Sequence, residues 1–419
     1  MVQNYDNHGI LKNRRVNNPN LVPNLVTQVT RPDTLSGGMT KAGTVIEFQN
    51  VTVGSTQTVV NVGDDIQNSL DNLNSLGGGT LFLRNGTHFV NKDLILYSNI
   101  YIQGENVSDT VVDFGGKSYG FRIKGSNVYN TGTVSVVVGG TTVTGTGTAW
   151  TSNMIGRQIM LSGYAYNVLT VPSGTSLTID QQYTSPGLSG NLVNEPYAIC
   201  TSIGGVECSD FTVQNSADKA FDVQYTNITI EFKNILVYFS NYGFYVNQCG
   251  GFIIDNGYVF ACNYGAYFYN SDAITWITTS AYNTVIGDGI YFNNTGDSTI
   301  FNFSSANNNG NGITFVNAFN TEVSSGTIND NSGKGVEFVS GTTATSVEAC
   351  TISGNVSDGV KLTATSSQNI IGGNVSSSNG GWGINIANAN CSNNIINGNV
   401  YVGNTAGTYT NSGTSTRIF

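Results

Sequence analysis

Tyrosines and carboxylates recur along this 419-residue chain at intervals near 23 residues. Tyr245, Tyr267 and Tyr291 form one such series, Glu231 with Asp255 a second, and Asp272 with Asp297 a third. Tyrosine rings in a row offer aromatic surface to sugar rings. Two carboxylates about 5–5.5 Å apart cleave a glycosidic bond with retention, and at roughly 6.5–9.5 Å with inversion. Either chemistry requires a chain that returns to the same place once per interval.

The repeat supplies that return. A glycine followed by alternating apolar residues appears in NYGFYV (Gly243), NYGAYF (Gly265), GDGIYF (Gly289), GNGITF (Gly312), GKGVEF (Gly335), SDGVKL (Gly359) and GWGINI (Gly383). A weaker member at Ala220 precedes them and one at Gly407 follows, with steps of 22 to 24 residues throughout. A fixed period of this length is one coil of a solenoid. The L-x-x-L-x-L pattern of a leucine-rich repeat is absent. Alignment on the glycine puts Phe221, Phe244, Ala266, Ile290, Ile313, Val336, Val360 and Ile384 in one column. Val223, Val246, Phe268, Phe292, Phe315, Phe338, Leu362 and Ile386 form another two residues on. Because strand side chains alternate faces, both columns point inward.

The residue between them points outward, and that column reads Asp222, Tyr245, Tyr267, Tyr291, Thr314, Glu337, Lys361, Asn385. Tyr245, Tyr267 and Tyr291, with Asp222 and Glu337 at the ends, are the candidate glycan-binding residues. Two other readings of the column stay open: tyrosines stacking as good strand formers, or lining a subunit interface. Glu231 and Asp255, at offsets of eleven and twelve from their coil markers, are the leading candidate catalytic pair. Asp272 and Asp297, at seven and eight, are the second. Asp222 and Glu337 lie five coils apart, roughly 24 Å, and cannot act together.

The pattern predicts an all-β chain, a right-handed parallel β-helix of about 23 residues and three short strands per coil. Further strands are expected at 228–232 with 235–237, at 251–255 with 257–260, and at 369–371 with 373–375. Residues 64–76 read as an amphipathic helix covering the first coil, with Asp64 and Gln67 as a capping box, Ile66, Leu70 and Leu73 as the apolar stripe, and Gly77 as the stop. Residues 126–198 break the coil pattern with Val/Thr alternation around Gly-rich turns, as expected of an inserted β-domain of five or six strands. Carbohydrate contact, lateral packing and simple spacing are its open roles. The expected organisation is thus an arm at 1–45, the cap and first coils at 46–125, the insert at 126–198, and the main helix at 199–419.

Only 10% of residues are charged and the net charge is -10, which argues against nucleic acid as a partner. The first 45 residues run the other way, with five basic and two acidic side chains, and suit docking on an acidic partner or a solvated tail. No run approaches the roughly 20 apolar residues of a membrane span, and the start lacks the apolar core of a signal peptide. The six cysteines show no C-x-x-C pair, and the histidines are His8 and His88, so the cysteines read as buried small hydrophobes and neither metal nor cofactor is expected. The Asn-rich stretches 307–312 and 329–333 read as turns with stacked asparagines.

The predicted helix followed by GGGTLFLRNGTHF, SNIYIQGEN and TVVDFGG resembles the start of pectate-lyase-type β-helices, a group that includes many phage tailspikes. The insert's GGTTVTGTGTAWTSNMIGRQIMLSG and TSLTIDQQY are similar to a small β-module common in phage structural proteins. The resemblance implies a virion tail or surface protein, acting outside the cell as a homotrimer, attached through residues 1–45 and contacting host cell-surface polysaccharide, with depolymerisation as an added capacity. It does not carry the enzymes' machinery across. No Arg occurs between Arg157 and Arg417 and no His after His88, so neither the pectate lyase base nor the polygalacturonase Gly-His-Gly has a counterpart, and Arg122-Ile123-Lys124 falls in an early coil. A structural virion protein, and a secreted polysaccharide lyase or hydrolase, are the alternatives.

Overall fold

Short apolar alternations separated by Asn, Gly and Ser should give strands that end at sharp corners, and the coil geometry follows from those corners. The computed structural model describes residues 56–161, 164–184, 191–226 and 229–419, together with the antiparallel pairing of Thr40–Lys41 with Thr44–Val45. The arm expected at 1–45 otherwise lies outside the described residues. Apart from the segment between Ser126 and Thr201, the remainder of the described residues is a right-handed parallel β-helix. One wall is an eleven-stranded parallel sheet running from Leu94–Ile95 and Phe121–Lys124 through Tyr242–Cys249 and Tyr264–Tyr269 to Gly407–Asn411. A second wall stacks Phe252–Asp255 on Ile274–Ile277 and Thr299–Phe301, and a third stacks Tyr258–Phe260 on Ser280–Tyr282 and Ser304–Ala306. The single α-helix among the described residues, Ile66–Ser75, covers the open end.

Both predicted inward columns are in register. Phe221 pairs with Phe244, Phe244 with Ala266, and Ala266 with Ile290, and the column continues to Ile384. Rings stack within the columns: Phe121, Phe221 and Phe244 at 5.0 Å steps, Phe268 on Phe292 at 4.9 Å. Where the first column narrows to Ala266, the buried Trp276 indole of the second wall lies against Phe244 and Phe268.

The corners between walls are single residues in the left-handed region, stacked coil on coil: Asn256, Thr278, Asn302, Ser325 and Ala349 at one edge, and Ala261, Asn283, Asn307, Asp330 and Ser378 at the next. Asn tolerates this conformation, which accounts for the Asn-rich composition. Just inside the second edge runs a buried ladder of Asn308, Asn331, Asn355 and Asn379, ending at Asn404. Each Nδ2 donates to the next Oδ1 at 2.9 Å, and each backbone N–H donates to that same Oδ1 at 3.0–3.1 Å. The second Nδ2 hydrogen reaches a backbone carbonyl, as from Asn331 to Ser305 at 3.1 Å, so every polar atom of this interior seam is partnered. Cys262 and Cys350 each follow a left-handed corner residue, Ala261 and Ala349, at different edges, and all six cysteines are free and buried.

Two details differ from expectation. The helix N-cap is Asp65, whose carboxylate accepts from the Asn68 amide at 3.1 Å, while Asp64 turns back to the Asn61 amide at 2.8 Å. Gln67 therefore does not close a capping box. It hydrogen-bonds Ile95 at both its amide (2.7 Å) and its carbonyl (3.2 Å), standing in for the missing strand at the end of the wall. The residues between Ser126 and Thr201 form an eight-stranded antiparallel sheet with its own core of Val143, Trp150, Ile159, Leu177 and Ile199, rather than five or six strands. The ten-residue strand Tyr164–Ser173 pairs first with Gln158–Leu161 and then with Ser176–Ile179, so one segment serves two halves.

Replacing Asn331 by Ala strips partners from the Asn308 side chain and from buried backbone groups on both sides. We expect a loss of about 3 kcal/mol, read as a lowered midpoint in thermal melts with an unchanged far-UV spectrum.

Candidate functional site

On the eleven-stranded wall the outward column lies in register, Asp222 beside Tyr245, Tyr245 beside Tyr267, and Tyr267 beside Tyr291. The tyrosine rings stack on one another: Tyr245 and Tyr267 are 5.6 Å apart and parallel, Tyr267 and Tyr291 4.7 Å apart at 7°. A second outward column, one residue before each repeat glycine, runs beside it and holds Tyr242 and Tyr264, stacked at 4.7 Å, then Asp288, Asn311 and Lys334. Tyr242 meets Tyr245 and Tyr267 edge-on, which joins the two columns into one aromatic shelf.

Stacking at the strand spacing means that the rings cover one another's faces. What the shelf presents along its length is ring edges, and a face is free only where a column stops. At one end the face of Tyr245 is covered by the Lys219 ammonium, 4.1 Å from the ring centre. At the other end the column of Tyr242 and Tyr264 stops at Asp288, and there a cavity of about 270 Å³ opens, lined by Tyr264, Ala266, Tyr267, Gly287, Asp288 and Tyr291. The Asp288 carboxylate accepts from the Asn311 amide at 2.6 Å, and burial raises its pKa above the ordinary value. The column of Tyr242, Tyr264 and Asp288 was missed in the sequence reading, although N-Y-G, N-Y-G, G-D-G in consecutive repeats is its signature.

The two acidic ends of the predicted glycan row are tied up differently. Asp222 is 1% exposed, held by Lys124 at 2.5 Å, Arg122 at 3.5 Å, Lys219 at 3.6 Å and Gln224 at 2.6 Å, so it organises the wall from beneath. Arg122 and Lys124 of the Arg-Ile-Lys run serve this ion cluster. Glu337 bonds Lys334 at 3.0 Å and Asn311 at 2.9 Å, two coils beyond Tyr291.

Of the carboxylate pairs, Glu231 lies opposite Ile253, and Asp255 lies opposite Lys233. The coil that begins at Ala220 holds one residue more ahead of this strand than the coil that begins at Gly243, so Asp255 sits two residues further along its strand than Glu231 does. Glu231 instead neighbours Glu207 in register, and Lys233 reaches both, at 3.0 and 3.5 Å. Asp272 and Asp297 are brought close: Asp272 bridges to Gly296, the residue before Asp297, one coil on. The insert completes this place, since the Tyr164 hydroxyl donates to the Asp297 carboxylate, which also accepts from the Asn320 amide. Asp272 is 3% exposed and neither of its oxygens has a hydrogen-bond partner. Burial, reinforced by the Asp297 charge, pushes its carboxyl up to about 8. Burial first, then both carboxylates, raise the Tyr164 phenol. A carboxyl with both oxygens buried and unpartnered is placed to hold a proton at the joint between insert and helix.

Among the described residues no three His, Cys, Asp or Glu side chains converge as metal ligands, and no helix is long and apolar enough to cross a membrane. Residues 226–419 match the model of a family described as periplasmic copper-binding protein (NosD). No curated protein matches the chain. Among solved structures, the A-module of mannuronan C-5 epimerase AlgE6 of Azotobacter vinelandii aligns over 85% of this chain and 96% of its own, at 16% identity and a TM-score of 0.54. The A-module of AlgE4 from the same organism aligns over 81% of this chain and 73% of its own, at 14% identity and a TM-score of 0.45. The Gp54 tailspike of Acinetobacter baumannii bacteriophage AP22, in complex with capsular saccharide, aligns over 85% and 66% at 14% identity and a TM-score of 0.41. At these identities the likeness is one of fold, and the chain is a right-handed parallel β-helix protein.

Because Asp272 keeps its proton in the folded chain up to about pH 8 but loses it near 4 when unfolded, stability should fall as pH rises between those values and level off above. Asp272→Asn should flatten that slope and melt higher than the parent at pH 9 by on the order of 5 °C. An unchanged slope in melts at pH 5, 7 and 9 would show that the carboxyl is already ionised in the fold.

Proposed function

We propose that this protein holds a polysaccharide on the tyrosine shelf, and that it is a tailspike-like receptor-binding protein of a phage virion whose ligand is a host cell-surface polysaccharide. The observation that carries the first part is the shelf itself: five tyrosines in two stacked columns, ending at a cavity with a half-buried carboxylate. Rigid aromatic surface beside a hydrogen-bond acceptor suits sugar rings, which are apolar on one side and hydroxylated at the rim. The virion assignment rests on the resemblance of the cap and insert sequences to phage proteins, with residues 1–45 as the attachment arm.

Copper binding, which the matched family's description names, finds no support in the ligand set. Residues 226–419 contain no His and no Met, and their four cysteines are free and buried. A second reading, packing against other virion subunits or further copies of this chain in a homotrimer, is favoured by one other surface. Tyr238, Phe260 and Tyr282 form an outward column on the third wall, with Tyr258 against them and Phe239, 57% exposed, at the corner.

The experiment is incubation of the full chain with a panel of bacterial surface polysaccharides, following retention and the appearance of new reducing or unsaturated ends. Retention is expected, and Tyr267→Ala should weaken it roughly tenfold. New chain ends would add a depolymerase activity and direct mutagenesis to Asp272 with Asp297 and to Glu231 with Asp255. Absence of retention across the panel, with Tyr238→Ala changing the oligomeric state, would replace this reading by the subunit-packing one.

A further inference from the structure

Resting on that reading, we propose that the cavity at the end of the tyrosine columns seats one pyranose without an anionic group, and that uronic and other acidic sugars are excluded there. The Tyr264 ring is stacked on Tyr242 on one side, and on the side of the next coil its column continues as Asp288, not as a ring. That free face, the edges of Tyr267 and Tyr291, and the Asp288 carboxylate meet around a space of about 270 Å³. This is at or just below the lower end of the usual range for small-molecule pockets, and so suits one ring rather than a longer segment. A pyranose placed with its apolar side on Tyr264 turns its rim toward Asp288, whose oxygens accept from hydroxyl groups.

The charge around the cavity selects against anions. Of the ionisable groups near Asp288, Tyr291 is neutral and Glu337 is a second acid. Lys334, the nearest cation, is bonded to Glu337 at 3.0 Å. Lys219, at the far end of the shelf, is engaged with Asp222 and with the Tyr245 ring. Lys361 follows Glu337 in the outward column, three coils from Tyr291 or roughly 14 Å away, beyond the reach of a sugar seated in the cavity. A carboxylate brought in by a uronate would face Asp288 with Lys334, already paired with Glu337, as the nearest cation.

Glycine at 287 keeps the space open. A methyl group there would lie 2.2 Å from the Tyr264 ring, so Gly287→Ala must displace the ring and fill the cavity. The test measures retention of the full chain at 0.15 M salt on immobilised neutral glucan, galactan, mannan and N-acetylhexosamine polymers, and on alginate and polygalacturonate. The expected result is retention on at least one neutral polymer and none on the polyuronates. Gly287→Ala should then lower neutral binding tenfold or more, while Asp288→Asn should lower it less and admit weak polyuronate binding. Melting curves of both variants separate a filled cavity from a misfolded chain, and Asp288→Asn, being isosteric, keeps the test alive if Gly287→Ala fails to fold. Preference for polyuronates, or neutral binding that neither variant alters, overturns this inference while leaving the shelf's polysaccharide role intact. Retention on none of the polymers overturns both.

Discussion

In-register hydrogen bonding from each coil to the next governs everything else in this molecule. The bonds do not stop at the strands. At the corners, too, the amide of one coil meets the carbonyl of its neighbour, as Asn256 does Ile277, Thr278 does Phe301 and Asn302 does Ser324. A corner can repeat this way only if successive coils adopt the same backbone there, and the shared solution is a single left-handed residue. Asn, Asp, Gly and Ser accept that conformation readily. Buried groups that the corners expose are met by the asparagine ladder from Asn308 to Asn404, so the polar interior seam is built from the same repetition as the apolar one.

The same constraint shapes the outer surface. Once strands lie about 4.8 Å apart in register, like side chains on successive coils are forced against one another. Tyrosines respond by stacking, and a stack hides the ring faces that a ligand would use. Opportunity for recognition therefore lies where a column changes residue type. The change from Tyr264 to Asp288 is such a place, and it coincides with the cavity. The cluster of Arg122, Lys124 and Lys219 around Asp222 is another, at which the charges neutralise each other and leave a support for the shelf.

Among the described residues the insert and the cap helix escape the repetition. The insert leaves and returns through paired strands, Ser126–Tyr129 against Tyr197–Thr201, so the helix continues as though uninterrupted. Its Tyr164 reaches Asp297 across 133 residues of sequence and closes over Asp272, a carboxyl left without any hydrogen-bond partner. A buried group of that kind is tolerable when neutral, and its burial raises the pKa accordingly.

Much of the architecture was legible because a solenoid writes its coil into the sequence as a period. The spacing of Gly243, Gly265, Gly289 and their successors is enough to align Phe244 with Ala266 and Ile290, and to place Tyr245, Tyr267 and Tyr291 on one outward line. What periodicity leaves open is the register away from the marker, because coils of 22 to 24 residues differ in length at points between markers that composition does not specify. That is why Glu231 and Asp255 proved to be offset by two positions. Nor does a repeat reveal whether a charge is free. Asp222 looked like a ligand contact from its column and is an ion-paired support, because Arg122 and Lys124 reach it from an earlier coil on the other side of the insert. The sequence by itself thus determined the coil, its core and the outward lines, through nearest-neighbour stacking that repeats. Only the tertiary structure decided which faces are open and which carboxylates meet, since those depend on corner lengths and on contacts made across the insert.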